Sequence, residues 1–447
     1  MTQLMMTTSG TRGVIGDTMT PQVTTKIAQA FGSYIGKGPV VVGGDTRVSY
    51  AMLKGAVIAG LISVGTDVID IGQCLTPTVQ QMIRKFNAKG GIVITASHNP
   101  IQWNGIKLMN NTGSFMVQSE FEVFLKLYET ENLPIKPWPD LGVVTHYPNA
   151  VRDHVELVLN AIDISPIKNA NLNVLVDPNN GAGALANQLL LDKLGVKYTI
   201  LNGTPDGRFS HDPEPLVKNL TQTLDVAKSG QFDIGFIQDA DADRLVILDE
   251  TGHFIGEDYS LAFCIDRILQ DEKGSDQIIV VNLSTSQVVK DVAERHGASL
   301  IQTKIGETNV TEGIKAHQAV AGGEGNGGVI YPKVGWGRDS LVGIALALRH
   351  LAVTKQKVSE IVATYPKYVM LREKFNVDSR DEINQFLDKV KAHYAALPQD
   401  HQDGVKISFP DGWIHVRPSN TEPIVRIFVE APSDSEANKR LKTVQLL

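Results

Sequence analysis

Three similar α/β domains with mixed, largely parallel sheets, followed by a smaller C-terminal α+β domain, are what this 447-residue sequence predicts. Three observations carry that prediction: one order of elements recurs three times, glycine stops a helix in each recurrence, and the strands are continuous apolar runs. The first unit, 1–150, has a strand over 39–43, a helix over about 50–63, a strand over 67–71 and a glycine-led strand over 91–95. The second, 151–255, repeats the order at 173–176, 184–194, 197–201 and 233–237. The third, 256–367, does so at 277–281, 286–296, 299–303 and 319–321. Gly65, Gly195 and Gly297 end the three helices directly before a strand, where a left-handed cap is expected. Runs such as Ile278-Ile-Val-Val281 are typical of strands covered on both faces. From about Tyr368 the pattern changes to a helix over 380–394, strands over 405–409, 413–417 and 424–430, and a short closing helix, giving the fourth domain, 368–447. A Pro410-Asp-Gly412 turn joins its first two strands.

The bulk numbers narrow the function. The composition, 42% apolar and 20% charged, is that of a soluble globular protein. A net charge of −7 and no long basic run argue against nucleic acid or an acidic membrane surface as partner. An anionic substrate therefore needs a local cluster of cations. The N-terminus has no basic region followed by a long apolar one, so no secretory signal is expected. The apolar stretch around 56–64 is too short to span a bilayer. Cys74 and Cys264 lack metal-ligand spacing and read as two buried, reduced thiols, consistent with a cytoplasmic enzyme.

An unusual loop follows the last strand of each unit: Thr95-Ala-Ser-His-Asn-Pro100, Gln238-Asp-Ala-Asp-Ala-Asp-Arg244 and Gly322-Gly-Glu-Gly-Asn-Gly-Gly328. Open α/β sheets place ligands at such strand ends. On an extended segment Asp239, Asp241 and Asp243 face one side, and their mutual repulsion is resolved by a hard divalent cation such as Mg²⁺. A solvated acidic turn is the plain alternative. An EF-hand is the sharper one, since Glu250 falls at the twelfth position, but Arg244 stands where its glycine is needed and the flanks read as strands. Ser97 beside Asn99-Pro100 is either a turn residue or a nucleophile, and a free hydroxyl needs a base or metal to react. His98 either orients that Ser or lies at the surface, and no Gly-x-Ser-x-Gly surrounds it. The glycine run matches a dinucleotide fingerprint formally, yet Val329-Ile-Tyr-Pro332 cannot open a helix well. Glu324 and Asn326 suit sugar hydroxyls on a flexible loop instead. Arg417-Pro-Ser-Asn-Thr-Glu-Pro423, with Arg426 close behind, reads as a phosphate cradle or as a strand-connecting turn. Arg12, Arg47 and Lys107 each put a cation in a glycine-containing loop, for a phosphate or for solvent.

Taken together, the loops at 95–100, 239–244, 323–327 and 417–423 resemble, in order and spacing, the four signature loops of the α-D-phosphohexomutases. Segments 9–13, 104–107 and 303–306 also fit, so the likeness spans essentially the whole chain. The resemblance implies four domains arranged around a central cleft, a phosphoserine at Ser97, and one Mg²⁺ per active site held by Asp239, Asp241, Asp243 and the Ser97 phosphate. It places Arg244 beside that site, Glu324 and Asn326 on the sugar, and Arg417, Ser419, Asn420, Thr421 and Arg426 on the non-reacting phosphate. Arg12 and Lys107 resemble the residues that assist proton and charge transfer near the phosphoserine. Many members that act on mannose or glucose phosphates have Ser at the position of Asn326 and His at that of Gly328, so a general acid or base there is missing from this chain. Asn420 also replaces a commoner Gly. The Gly-Glu-x-Asn-Gly-Gly form, and 303–306 continuing into Glu307, look more like members acting on glucosamine phosphates. The implied reaction moves phosphate between the 6- and 1-positions through a hexosamine 1,6-bisphosphate, which turns over in the cleft while a mobile fourth domain gives it room. A small hexose phosphate is the expected partner, with no nucleic acid or membrane, in a monomer or homodimer.

Overall fold

The computed structural model describes residues 4–130, 132–272, 274, 276–376, 380–418 and 424–447. Ser419, Asn420 and Thr421, expected in the phosphate loop, lie outside the described residues.

The first sheet runs Met5–Thr7, Gly10–Val14, Trp103–Asn110, Gly90–Ile94, Pro39–Gly44, Asp67–Gln73, Val144–His146. The second runs Leu245–Leu248, Ile234–Gln238, Asn173–Asp177, Lys197–Ile200, and the third Gly328–Ile330, Ala321–Glu324, Ile278–Asn282, Ser299–Thr303. A shared motif is plain: three parallel neighbours and one antiparallel return strand. The return strand comes directly after the third parallel strand. The chemically loaded loop of each unit is thus the hairpin connection at the carboxyl end of that strand. Because the hairpin is short, the loop's side chains are held close to the sheet edge instead of trailing into solvent.

Glycine ends the three unit helices as expected, with φ of +84° at Gly65, +70° at Gly195 and +72° at Gly297. The short strand expected at 319–321 is instead Ala321–Glu324, so Glu324 ends a strand and the loop shrinks to three residues. Two glycines make that strand possible: a Cβ on Gly322 would lie 2.4 Å from the Val280 carbonyl oxygen, and one on Gly323 2.4 Å from that of Gly328.

Packing divides the chain less evenly than the repeats do. Apolar residues cover both faces of the first sheet in two clusters, around Val40, Val42 and Ile92 on one side and Val41, Val79 and Val93 on the other. The second and third units share one core, from Val174 and Val176 through helices Glu257–Asp271 and Ser340–Thr354 to Ile279 and Val281. The fourth domain is an antiparallel sheet, Val369–Asn376, Ile424–Ala431, Gly412–Pro418, Val405–Phe409, Gln399–Asp400. Helices Arg380–His393 and Asp434–Gln445 pack on it through Leu387, Val390, Leu441 and Val444.

The fourth domain meets the third through buried polar contacts. The backbone N–H of Gln287 donates to Glu430 Oε1 at 2.8 Å, and Lys406 Nζ donates to the Leu283 carbonyl at 2.7 Å. Asp258 accepts from the Ser286 N–H at 2.8 Å, and burial pushes its carboxyl up to about 7 against the pull of Arg372. A carboxyl raised in the folded state stabilises it fully in acid, and that contribution is lost as pH rises towards 7. Asp258→Asn, which keeps a neutral group of the same shape, is expected to flatten the fall in unfolding midpoint between about pH 4 and 7. Thermal melts across that range check it, and an unaltered slope counts against it.

Candidate active site

The strand Gly90–Ile94 delivers the chain into a bend that puts Ser97 at φ +49°, a left-handed conformation costly for a residue with a side chain. Neighbours hold it there. Thr95 Oγ1 accepts from the Ser97 N–H at 2.8 Å, and Arg47 Nη2 donates to the Ser97 and Asn99 carbonyls at 2.7 and 2.6 Å. Arg47 also donates from Nη1 to the Pro100 and Trp103 carbonyls at 2.9 Å each, and from Nε to Asp45 Oδ2 at 3.2 Å. All five guanidinium N–H groups are therefore used, and the side chain is 1% exposed. This corrects the expectation that Arg47 meets substrate: it clamps the Ser97 loop from behind.

The aspartates converge by a different route from alternation on an extended segment. Residues 239–243 form a turn, with Ala242 at φ +56° and its N–H bonded to the Asp239 carbonyl at 3.1 Å. The turn gathers one oxygen from each of Asp239, Asp241 and Asp243 within 4.8 Å of one another, all three buried. Ser97 Oγ donates to Asp239 Oδ2 at 2.9 Å, so the hydroxyl of one domain touches the carboxylates of the next. Lys107 Nζ donates to Asp241 Oδ2 at 2.6 Å and to Asp243 Oδ2 at 3.0 Å, and Thr76 Oγ1 donates to Asp241. Glu250 points away, with its carboxylate bonded to the Ser359 backbone and hydroxyl, which removes the EF-hand reading.

Burial and the charges of Asp243 and Asp241 push Asp239 well above the usual carboxylate range. Burial also opposes ionisation of Asp241 and Asp243, yet Lys107 beside the first and Arg338 beside the second bring both below it. Asp241 Oδ1 and Asp243 Oδ1 are buried without a hydrogen-bond partner. Two orphaned anionic oxygens and a third carboxylate in one oxygen-only cluster fit a hard divalent cation of the Mg²⁺ type.

Arg12, His98, Lys107, Arg244, Glu324, Asn326 and Arg426 line one cavity of about 450 Å³. Arg244 Nε sits 4.0 Å from both Asp239 and Asp243. Its positive charge, with burial and Arg12, depresses the His98 imidazole well below its usual value, so His98 is neutral. His98 Nδ1 lies 3.4 Å from Ser97 Oγ, and Arg12 Nη1 donates to Asn99 Oδ1 at 2.7 Å. Ser9, Ile305, Gly306 and Arg426 also line a second cavity of about 520 Å³ that holds Arg417. Arg417 and Arg426 are direct cross-strand partners, and like charges so placed are unfavourable unless an anion accompanies them. Asp403 meets Arg417 Nε at 3.1 Å.

Sequence reasoning missed Arg338. Its Nε donates to Glu307 Oε2 at 2.7 Å, Nη1 to Asn326 Oδ1 at 2.8 Å, and Nη2 to Asp243 Oδ2 at 3.0 Å. It also missed Asn282, whose Nδ2 donates to Glu324 Oε1 at 2.9 Å, and gave no site role to Glu307, whose carboxyl burial lifts to about 7 against the pull of Arg338. The only available signal for Arg338 was a cation in another glycine-containing loop, Gly335-Trp-Gly-Arg-Asp339.

Comparison with known proteins matches this architecture part by part. The phosphoglucomutase/phosphomannomutase family profiles match in order: alpha/beta/alpha domain I at 3–132, domain II at 152–252, domain III at 256–368 and the C-terminal domain at 373–444. A phosphoglucomutase/phosphomannomutase of Thermococcus kodakarensis is 38% identical over 97% of this chain and 96% of its own. A probable phosphoglucosamine mutase of Methanopyrus kandleri is 36% identical over 97% and 95%. The crystal structure of a phosphoglucomutase/phosphomannomutase family protein from Burkholderia thailandensis superposes with a TM-score of 0.85 at 26% identity, covering 98% of this chain and 96% of that one. No helix among the described residues is long and apolar enough to cross a membrane. The chain belongs to the phosphoglucomutase/phosphomannomutase family, the α-D-phosphohexomutases, and is a phosphotransferase of the isomerase class.

Proposed function

We propose that this phosphohexomutase interconverts glucosamine 6-phosphate and glucosamine 1-phosphate, with Ser97 carrying the phosphoryl group and a 1,6-bisphosphate as intermediate. The observation that carries the mechanism is the 2.9 Å contact between Ser97 Oγ and Asp239, within a cluster of three buried carboxylates beside a cation-lined cavity. The choice of sugar is supported by the Gly323-Glu-Gly-Asn-Gly-Gly328 loop and by the name of the Methanopyrus relative. Glucose and mannose phosphates are the second reading, favoured by the name of the Thermococcus relative.

In the forward direction the bond from phosphorus to Ser97 Oγ breaks and a bond to the sugar's free hydroxyl oxygen forms; the proton lost by that hydroxyl is balanced by one taken up at Ser97 Oγ, and the return step reverses the exchange. The bisphosphate reorients in the cleft, and its other phosphoryl group returns to Ser97 Oγ. Asp239, Asp241 and Asp243 would hold Mg²⁺, which when bound neutralises charge on the phosphoryl oxygens. Lys107 keeps Asp241 and Asp243 ionised, and neutral His98 offers Nδ1 to orient the serine oxygen. Arg12 and Arg244 set positive charge at the mouth of the transfer site, Glu324 and Asn326 take sugar hydroxyls, and Arg417 and Arg426 hold the idle phosphate with 419–421. Positioning and charge neutralisation are most of what phosphoryl transfer needs.

Turnover of glucosamine, glucose and mannose 1-phosphates, measured side by side with a trace of bisphosphate, tests the sugar. The reading expects glucosamine phosphate to have the highest kcat/KM by at least about ten-fold, a gap of roughly 1.4 kcal/mol. A clear preference for mannose 1-phosphate overturns it.

A further inference from the structure

Building on the phosphohexomutase reading, we propose that Arg338 is a positioning residue that locks the cation-binding aspartates and the sugar-reading pair into one frame, in the space a side chain at position 328 would need. A Cβ on Gly328 would lie 2.3 Å from Arg338 Cδ, 2.7 Å from its Cγ and 2.8 Å from its Cβ. Glycine at 328 and arginine at 338 are thus coupled by contact. The arginine stem lies across the bare backbone, and this carries its head group into the middle of the site.

The head group joins parts that otherwise belong to different segments. Nη2 reaches Asp243 in the second domain, while Nη1 reaches Asn326 at 2.8 Å and Glu324 Oε2 at 3.3 Å in the third. Lys107 and Arg338 both hold Asp243 Oδ2, at 3.0 Å each, which leaves Oδ1 as the oxygen without a hydrogen-bond partner. Two cations gripping one oxygen fix the rotation of the carboxylate and therefore the direction of the other oxygen. A planar fork can serve three acceptors in one plane, which an ammonium cannot.

The backbone beneath is anchored as firmly. Next to Arg338, Asp339 Oδ2 pairs with His154 Nε2 at 2.7 Å, and His154 Nδ1 pairs with Thr78 Oγ1 at 2.9 Å, all buried. That relay ties the Arg338 loop to the first domain, which also carries Ser97. Arg338 is itself 8% exposed on its side chain, so little freedom is left to it.

The test compares wild type, Arg338→Met, Arg338→Lys and Gly328→Ala, reading Mg²⁺ binding by calorimetry together with kcat and KM. Arg338→Met is expected to weaken Mg²⁺ binding about ten-fold, as loss of groups behind metal ligands does. It is also expected to lower kcat about 100-fold per phosphorylated enzyme, with a smaller change in KM. Arg338→Lys recovers part of the Mg²⁺ affinity. Gly328→Ala keeps the arginine but displaces its stem, and moves both readouts the same way. Wild-type Mg²⁺ affinity in both Arg338→Met and Gly328→Ala overturns the proposal, and so does a wild type that takes up no Mg²⁺. Should Arg338→Met fail to fold, Gly328→Ala decides alone. If wild type binds Mg²⁺ but turns over no hexose phosphate, the functional reading fails, and the Mg²⁺ titration still decides the role of Arg338.

Discussion

Ser97→Ala is expected to abolish turnover, by roughly 10⁴- to 10⁶-fold as for loss of other covalent nucleophiles, and to remove a mass of about 80 Da from the intact protein. The fold should survive. The Ser97 loop is held by Arg47 and Thr95 through backbone atoms, and the hydroxyl's own contacts are with Asp239 and His98. An unfolding curve matching wild type, beside lost activity and lost phosphate, separates chemistry from damage. A fully active, unphosphorylated Ser97→Ala would falsify the covalent mechanism.

The second large effect is on stability as well as rate. Lys107 is 3% exposed and is the shared cation of Asp241 and Asp243. Lys107→Met leaves those carboxylates in a low-dielectric site with one fewer counter-charge, a change that typically costs about 3–5 kcal/mol. The expected result is a large drop in unfolding midpoint at neutral pH without metal. A divalent cation at 100 times its dissociation constant contributes about 2.7 kcal/mol, so millimolar Mg²⁺ should restore much of the loss. A chelator that removes the Mg²⁺ should then unmask the loss again. A midpoint equal to wild type in chelator would mean that the carboxylates are not charged as described.

The repeated frame was legible because it rests on local rules. Glycine caps at 65, 195 and 297 and β-branched runs such as 278–281 mark strand–helix–strand order without any tertiary knowledge. The return strands were not. Leu245–Leu248 is four residues of plain apolar chain, and Gly328–Ile330 is three residues opening on glycine, so neither has a period to read. Nor were the opening strands Met5–Thr7 and Gly10–Val14 evident, since their threonines and glycines resemble a loop until the second pairs with Trp103–Asn110 and the first with the second. The merged core of the second and third units depends on helices 257–271 and 340–354 packing together, which no single segment announces.

The site divides along the same line. Ser97 and the three aspartates stand out because their chemistry is unusual within a few residues of sequence. Arg338, Glu307 and Asn282 act across 12 to 95 positions, through contacts that exist only once the domains are assembled. Arg47 shows the opposite failure. As a cation in a glycine loop it looks like a phosphate ligand, but four backbone carbonyls between Ser97 and Trp103 and the Asp45 carboxylate claim every one of its donors.

A single turnover with enzyme carrying radiolabelled phosphate on Ser97 tests the covalent transfer most directly. After mixing with unlabelled glucosamine 6-phosphate and Mg²⁺, the label should leave the protein and appear in a hexosamine bisphosphate, then in glucosamine phosphate. Label that stays on the protein, or leaves only as inorganic phosphate, contradicts the account.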